Sequence, residues 1–185
     1  MNPWRTLDSR IVYSNPWMVL REDKVIRPDG AEGIYGVVEM PPSCGIVAID
    51  DRDQIAMVSQ WRYTLGKMSV EIPTGGAAHG ELPLDAAKRE LSEETGLSAA
   101  SWTRLGTIDN SNGITTDVAH MFLARQLSAG PVNKQGDEEL ELHWINFADA
   151  VKSVMAGEIT ESVSMAAILK TELLRLRSRS ALPKA

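Results

Sequence analysis

The stretch GGAAHGELPLDAAKRELSEETGL, which runs from Gly75 to Leu97, predicts a glycine-containing loop that leads into a helix. The helix should be about a dozen residues long, because Pro83 suits its first turn and Gly96 suits the position just after its last turn. Apolar residues recur at helical spacing along it and predict one buried stripe. The members of this stripe are Leu84, Ala87 and Leu91.

Three glutamates crowd the C-terminal end of this predicted helix: Glu90, Glu93 and Glu94. Their spacing brings the carboxylates to one side, where each like-charged pair costs about 0.2–0.5 kcal/mol. Acids at the negative end of the helix dipole cost about another 0.3–1 kcal/mol each. Some cation should offset this repulsion. Either Lys88 and Arg89 form salt bridges on a solvated face, or the carboxylates bind a hard divalent cation such as Mg²⁺ through oxygen.

The same stretch resembles the signature of the Nudix hydrolases at each defined position. Its order is Gly75, five residues, Glu81, seven residues, Arg89-Glu90-Leu91, one residue, Glu93-Glu94, one residue and Gly96-Leu97. The resemblance implies hydrolysis, dependent on Mg²⁺ or Mn²⁺, of a nucleoside diphosphate linked to another moiety. It also implies an α/β/α sandwich with a mixed sheet between helices.

The resemblance further implies roles for the charged residues of the signature. Glu90 and Glu94 correspond to the main metal ligands, and Glu93 corresponds to a further ligand or a catalytic support. Arg89 takes the position of the residue that orients these glutamates. Glu81 corresponds to a glutamate that joins the metal cluster directly or through water.

The residues at the start of the signature are expected to act through their backbone. The carbonyl of Thr74 corresponds to a further metal ligand. Gly75 and Gly76 are expected to let the chain turn tightly into the helix at the substrate site, and a simple flexible loop explains these glycines equally well.

The segment QWRYTLGKMSVEIPTGG, from Gln60 to Gly76, is similar to the segment before the signature in ADP-ribose pyrophosphatases and related nucleoside-diphosphate-sugar hydrolases. The resemblance implies that Arg62 meets the diphosphate and that Glu71 contacts the nucleoside part of the substrate. Trp61, which precedes Arg62, is the candidate for stacking on a nucleobase.

A later stretch, GDEELELHW, resembles an acidic loop of the same subgroup that supplies a carboxylate to the metals or to the attacking water. Glu138 aligns best with that carboxylate. Glu139 is the alternative, and Asp137 is a weaker third choice. We therefore expect a catalytic role for Glu138 or Glu139.

The chain has 185 residues, of which 43% are hydrophobic, enough for one main core and a small appended unit. With 19 basic and 25 acidic residues its formal net charge is -6, which disfavours a nucleic-acid-binding surface. Cys44 is the only cysteine, so it is expected in the core rather than in an internal disulfide. Neither a signal peptide nor a membrane span is indicated, so a soluble cytoplasmic protein is expected.

Short β-type runs between Arg10 and Met40 predict a small antiparallel sheet, and Pro41 and Pro42 then interrupt the pattern. We therefore predict an N-terminal β unit over residues 1–41 and a Nudix domain over 42–185. In the resembling subgroup such N-terminal units pair two chains, which implies a homodimer.

Further strands are predicted at about 103–108, 118–124 and 140–145, and two helices are predicted at about 147–156 and 160–179. An apolar stripe on the last helix is expected to pack on a sheet. Its members are Met165, Ile168, Leu169, Leu173 and Leu176.

The resemblance implies hydrolysis of a nucleoside diphosphate sugar, with ADP-ribose as the leading substrate, to a nucleoside monophosphate and a sugar phosphate. The stretch Ser111-Asn112-Gly113 weakens the ADP-ribose assignment, because the subgroup commonly has proline before this glycine. Alternative substrates are a GDP-sugar, a dinucleoside polyphosphate or a nucleoside triphosphate. A non-catalytic sensor of ADP-ribose-like ligands is disfavoured because all signature glutamates are present. No catalytic role is expected for the three scattered histidines, His79, His120 and His143.

Overall fold

The computed structural model describes residues 1–130 and 140–180 of the chain. The chain divides into two compact units. The first consists of Met1–Pro42 with Asp109–Val118, and the second consists of Ser43–Ile108 with the chain from Ala119 onward. The predicted boundary after residue 41 places residues 109–118 in the second unit, whereas the structure groups them with the first.

The first unit contains a three-stranded antiparallel sheet in the order β1-β2-β3. Its strands are β1 (Arg5–Ser14), β2 (Val19–Ile26) and β3 (Glu32–Glu39). The antiparallel sheet predicted from the sequence is therefore confirmed. The segment 109–118 joins β3, because the Val38 N–H donates to the Ile114 carbonyl at 2.8 Å and the Tyr35 hydroxyl donates to the Gly113 carbonyl at 2.8 Å.

Polar cross-strand pairs explain why β1 begins well before the apolar run that indicated it. Ser9 Oγ donates to Asp23 Oδ1 at 2.6 Å, and Arg10 Nη2 donates to Glu22 Oε1 at 2.7 Å. Such pairs stabilise a strand whose own side chains are not buried. Every residue of β1 is exposed.

The second unit contains seven strands and three helices within the described ranges. The strands are β4 (Ser43–Ala48), β5 (Gln54–Arg62), β6 (Lys67–Glu71), β7 (Thr74–Gly76), β8 (Leu97–Asp109), β9 (Val118–Ala129) and β10 (Glu141–Asn146). The helices are α1 (Pro83–Thr95), α2 (Phe147–Ala156) and α3 (Ser162–Ser180). One sheet has the order β7-β4-β9-β8 and is mixed, because β4 is parallel to β9 and antiparallel to β7. The other, β10-β5-β6, is antiparallel.

Strand β4 contributes to two hydrophobic clusters because its side chains alternate between the faces of the sheet. Val47 belongs to a cluster with residues of α2 and α3. Cys44, Ile46 and Ala48 belong to a second cluster with residues of α1. The mixed sheet therefore lies between α1 on one face and α2 and α3 on the other, which confirms the predicted α/β/α sandwich and the core position of Cys44.

The bounds predicted for α1 and α2 are confirmed, and the glycine after each helix, Gly96 or Gly157, adopts the left-handed conformation with φ of 68° or 76°. The stripe predicted on α3 is wrong in its C-terminal half: Ile168 is buried, whereas Leu173 and Leu176 are exposed because the helix extends beyond the core. None of the three helices in the described ranges is long and apolar enough to cross a membrane.

Strands β8 and β9 are longer than predicted, because pairing within the sheet extends them through residues of weak β-propensity. Strand β7 has no such signal in the sequence, since two of its three residues are glycine. Its pairing with β4, in the register Gly45 to Thr74 and Ser43 to Gly76, makes it a strand.

Gly45 lets the start of α3 lie close against β4. A Cβ added at Gly45 would lie 2.5 Å from Cγ1 of Val163 and 3.2 Å from Cδ1 of Ile72. Both neighbours are buried core residues. Neither can therefore move aside without disturbing the packing around it.

We expect Gly45→Ala to lower the free energy of unfolding by about 1–3 kcal/mol, the usual cost of overpacking a core. Gly36→Ala is the control, because a Cβ there meets nothing within 4 Å and φ is not positive. Its effect should stay within about 0.5 kcal/mol. Denaturant titration would measure both, and equal effects would contradict the tight packing of α3 on Gly45.

Candidate active site

The guanidinium of Arg89 lies at the centre of a cluster of carboxylates at α1. It makes a bidentate pair with Glu81, with Nε to Oε1 at 3.0 Å and Nη2 to Oε2 at 2.9 Å. Its Nη1 donates to Glu90 Oε1 at 2.7 Å and to Glu93 Oε2 at 2.9 Å. Its Nη2 also donates to the carbonyl of Gly76 at 2.9 Å. Arg89 thus connects the loop, the helix and strand β7.

The carboxylate of Glu90 packs directly against the Cα of Gly75. A Cβ built on Gly75 would lie 2.0 Å from Cδ and 2.3 Å from each carboxylate oxygen of Glu90. Any larger residue at this position would therefore force the Glu90 carboxylate to move. The expected tight turn at Gly75 and Gly76 is wrong, because both residues lie in β7 and neither has a positive φ.

Glu94 is held by the backbone of the same strand. The Thr74 N–H donates to Glu94 Oε2 at 3.0 Å, and the Glu94 residue is 8% exposed. The sequence indicated the Thr74 carbonyl as a site group, but it carried no signal for this amide. Strand β7 therefore contacts Glu94, Glu90 and Arg89 through three successive residues.

Burial and charge shift the pKa values of the cluster in opposite directions. Burial raises the pKa of Glu90, and the charges of Glu93 and Glu81 raise it further against the lowering effect of Arg89. The hydrogen bond from Arg89 lowers the pKa of Glu81 to about 2. Burial, with the charge of Glu90, raises the pKa of the Cys44 thiol to about 12, so this thiol stays protonated beside the Gly75 carbonyl at 3.5 Å.

Residues indicated outside the signature also come together. Arg62 Nε donates to Glu71 Oε1 at 2.9 Å, and Arg62 Nη2 donates to Glu71 Oε2. Glu71 is 1% exposed, so the guanidinium is anchored on a buried carboxylate. The preceding Trp61 is 58% exposed on β5.

His143 does not form a catalytic relay with the described residues that contact it. His143, on β10, contacts Ser59 with Oγ to Nε2 at 2.7 Å. Glu141 lies 3.8 Å from the same Nε2, whereas a relay needs serine and carboxylate on different ring nitrogens. Asp137, Glu138 and Glu139 lie outside the described residues.

Two family models match the chain. The model described as NUDIX domain matches residues 40–164, and the model described as nucleoside diphosphate sugar hydrolase N-terminal domain matches residues 4–38. The chain belongs to the Nudix family. This confirms the resemblance on which the expected fold was based.

Two relatives are similar to the chain over most of its length. It is 33% identical over 169 residues to an ADP-ribose pyrophosphatase of Mycobacterium tuberculosis (strain ATCC 25618 / H37Rv), covering 90% of this chain and 82% of that protein. It is 31% identical over 171 residues to an ADP-ribose pyrophosphatase of Bacillus subtilis (strain 168), covering 91% and 92%. A solved structure titled "Crystal structure of ADP compounds hydrolase" matches with a TM-score of 0.84 at 18% identity over 97% of each chain, which supports the fold.

The chain is a Nudix hydrolase that acts on pyrophosphate bonds, as the signature predicted. This classification favours the enzyme over the non-catalytic sensor. The salt-bridge alternative for the signature glutamates is present in the structure, since Arg89 bridges Glu90 and Glu93. Lys88 instead lies 3.6 Å from Asp85 on α1.

The Nudix cluster fits a hard divalent cation by its donor chemistry. Its donors are oxygen atoms. The carboxylates of Glu81, Glu90 and Glu93 on Arg89, together with that of Glu94 on the Thr74 amide, leave the cluster net negative when they are ionised. In residues 1–130 and 140–180 no three His, Cys, Asp or Glu side chains are arranged to hold a metal ion, and Arg89 engages three of the four carboxylates. The Glu90 carboxylate lies against Gly75, and the adjacent Thr74 amide binds Glu94, so strand β7 brings these two carboxylates to the same place.

We expect Gly75→Ala to lower turnover about 100-fold or more, because the new methyl group occupies the space of the Glu90 carboxylate and displaces a site group. Gly76→Ala is the matched variant, since a Cβ at Gly76 meets nothing within 4 Å. Its loss should be at least about ten-fold smaller. Steady-state kinetics of both purified variants would test this. Equal losses would count against the role of Gly75 in making room for the Glu90 carboxylate.

Proposed function

We propose that this Nudix hydrolase cleaves the diphosphate of ADP-ribose, with Mg²⁺ or Mn²⁺, to AMP and ribose 5-phosphate. Two contacts with β7 support metal-dependent hydrolysis most directly. The Glu90 carboxylate packs against Gly75, and the Glu94 carboxylate is bound by the Thr74 amide. The ADP-ribose assignment is supported by the two relatives of that name, at 33% and 31% identity. The match to the N-terminal domain of nucleoside diphosphate sugar hydrolases agrees with a sugar-linked substrate.

Glu90 and Glu94 would serve as the main metal ligands, with Glu93, Glu81 and the Thr74 carbonyl as further donors. When bound, the metal ion neutralises charge on the diphosphate and lowers the pKa of a bound water. The chain fixes the donors in advance. Arg89 sets the direction of Glu90 and Glu93 by hydrogen bonds of 2.7 and 2.9 Å.

Arg62, Glu71 and Trp61 would bind the substrate. Glu71 holds one edge of the Arg62 guanidinium, and the Arg62 side chain is 37% exposed, so it remains accessible to a phosphate. The exposed Trp61 ring would stack on the base. Gly75 and Gly76 would offer backbone groups beside the diphosphate.

Glu138, with Glu139 as the alternative, is proposed as the carboxylate that aims or deprotonates the attacking water. The carboxylates of Glu90, Glu93 and Glu94 are already engaged by Arg89 and by β7. A further carboxylate from another part of the chain would therefore be needed to aim or deprotonate the attacking water. Both residues lie outside the described ranges.

We expect Glu94→Gln to reduce turnover of ADP-ribose about 100-fold or more while the fold is kept, because the amide preserves an acceptor for Thr74 but removes the charge. Asp85→Asn is the control. Asp85 is exposed on the same helix and lies 3.6 Å from Lys88, outside the cluster. Its turnover should stay within about two-fold of wild type.

Phosphate release coupled to a phosphatase would be measured with ADP-ribose, a GDP-sugar, a diadenosine polyphosphate and ATP, each with Mg²⁺, Mn²⁺ or EDTA. Preference for another member of this panel would overturn the ADP-ribose assignment. Wild-type turnover by Glu94→Gln at saturating Mg²⁺ would overturn the metal-ligand assignment.

We also propose that the protein is a homodimer joined through the first unit. Large apolar side chains of its sheet are exposed, including Ile11 at 68% and Ile34 at 70%. Ile11 pairs with Arg21 and Ile34 pairs with Lys24, three residues apart on β2, so the two isoleucines lie on opposite faces. A second chain that covers these faces would remove an unfavourable apolar surface from water.

The predicted cytoplasmic location stays a prediction.

Light scattering at micromolar concentration should give roughly twice the chain mass of 20.2 kDa. We expect Ile11→Asp combined with Ile34→Asp to shift the mass toward that of one chain, because charges would be buried at the interface. Leu173→Asp, at a 59% exposed apolar position of α3, should leave the mass unchanged. A wild-type mass of one chain would refute the proposed dimer.

A further inference from the structure

The buried connection between β6 and β7 links the two groups of candidate site residues. It consists of Ile72 and Pro73. On one side it continues from Glu71, which holds Arg62, and on the other side it leads to Thr74, whose amide holds Glu94. Any displacement of this connection would therefore move both groups.

Backbone hydrogen bonds hold the connection on two sides. The Pro73 carbonyl accepts a hydrogen bond of 2.9 Å from the Ile46 N–H on β4. The Ile72 N–H donates to a side chain rather than to a strand, namely Ser164 Oγ at 3.0 Å. Because a buried amide without a partner is costly, this side chain fixes where Ile72 can lie.

Ser164 lies in the first turn of α3 and is 0% exposed. Its hydroxyl donates to Glu161 Oε2 at 2.7 Å while it accepts from Ile72. A hydroxyl has one hydrogen, so donation to Glu161 leaves the oxygen lone pairs for the Ile72 amide. The orientation of the hydroxyl is therefore set by the carboxylate.

Glu161 is itself held at the start of α3. Its Oε1 accepts from the Val163 N–H at 2.8 Å, and its Oε2 accepts from the Ser164 N–H at 2.6 Å. These amides have no partners within the helix, so the carboxylate serves as their cap. Glu161, Ser164 and Ile72 form a continuous hydrogen-bonded series from α3 to the connection.

We propose that Ser164, oriented by Glu161, is a positioning residue of the hydrolase site. It fixes the position of Ile72. Because the φ of Pro73 is restricted, the position of Ile72 then determines where the Thr74 amide that binds Glu94 lies. The proposal rests on the proposed function in one respect, namely that Glu94 is a metal ligand. Its structural part, the control of the Thr74 amide by Ser164, is independent of metal and substrate.

Three variants separate positioning from general support of the fold. Ser164→Ala removes the acceptor for Ile72, and Ser164→Thr restores a hydroxyl. Thr171→Val is the matched control, because Thr171 is also a buried hydroxyl of α3, 1% exposed, but donates to Ala167 within the helix at 2.8 Å. Thermal unfolding of all three variants reports the stability that each substitution removes.

The first measurement is amide hydrogen exchange of Thr74 by NMR in the metal-free protein. We expect exchange about ten-fold faster in Ser164→Ala, because the loss of one hydrogen bond shifts the local opening equilibrium by about that factor. Exchange in Ser164→Thr should stay at the wild-type rate. The second is Mn²⁺ binding by electron paramagnetic resonance, where we expect a dissociation constant about five- to ten-fold higher in Ser164→Ala. In Thr171→Val both quantities should stay within about two-fold of wild type.

The positioning role is overturned if Ser164→Ala leaves Thr74 exchange at the wild-type rate, or if Thr171→Val accelerates it equally. It is also overturned if Thr74 exchange changes but Mn²⁺ binding does not. Failure of the proposed function has a different signature, in which the wild-type protein neither binds Mn²⁺ nor hydrolyses ADP-ribose. In that event the exchange rates alone decide whether Ser164 positions the connection.

Discussion

The Arg89 guanidinium holds together carboxylates that would otherwise repel one another at the unfavourable end of a helix dipole. Like charges on neighbouring turns and acids near a helix C-terminus each cost a few tenths of a kcal/mol to about 1 kcal/mol. Arg89 offsets this with hydrogen bonds to Glu81, Glu90 and Glu93. Its further bond to the Gly76 carbonyl fixes the helix to β7. Lysine could not replace it, because an ammonium lacks the planar fork of donors that reaches several acceptors at once.

Strand β7 is also held in place by the hydrogen bonds of Arg89. Three residues are too short to form a stable strand alone, and two of them are glycines that add no side-chain packing. Pairing with β4 holds one side of β7, and contacts with Glu94, Glu90 and Arg89 hold the other. The fold and the site are therefore not separable here, since the polar groups of the site also fasten an edge strand to its helix.

The sequence predicted those features that local chemistry controls. Helix α1 has its bounds because Pro83 and Gly96 act within one turn of the backbone, and three- and four-residue spacing is enough to bring Glu90, Glu93 and Glu94 together. Features that depend on distant partners were not predicted. No pattern in the sequence indicates β7, and the reason for Gly75, the approach of a side chain fifteen residues later, becomes visible only when α1 is packed on the sheet.

Arg89 also relates the two accounts of the glutamates that the sequence left as alternatives. A salt bridge and a metal site are mutually exclusive only if one cation can neutralise the whole cluster. Arg89 carries one permanent positive charge against three carboxylates, so negative charge remains when they are ionised. The carboxylate of Glu94, which the Thr74 amide holds, adds to it. The guanidinium thus joins the loop, helix and strand, while the remaining negative charge favours a divalent cation under the proposed function. Because Arg89 is anchored on Glu81 and on the Gly76 carbonyl, it can keep orienting the other glutamates when their charge is shared with such an ion.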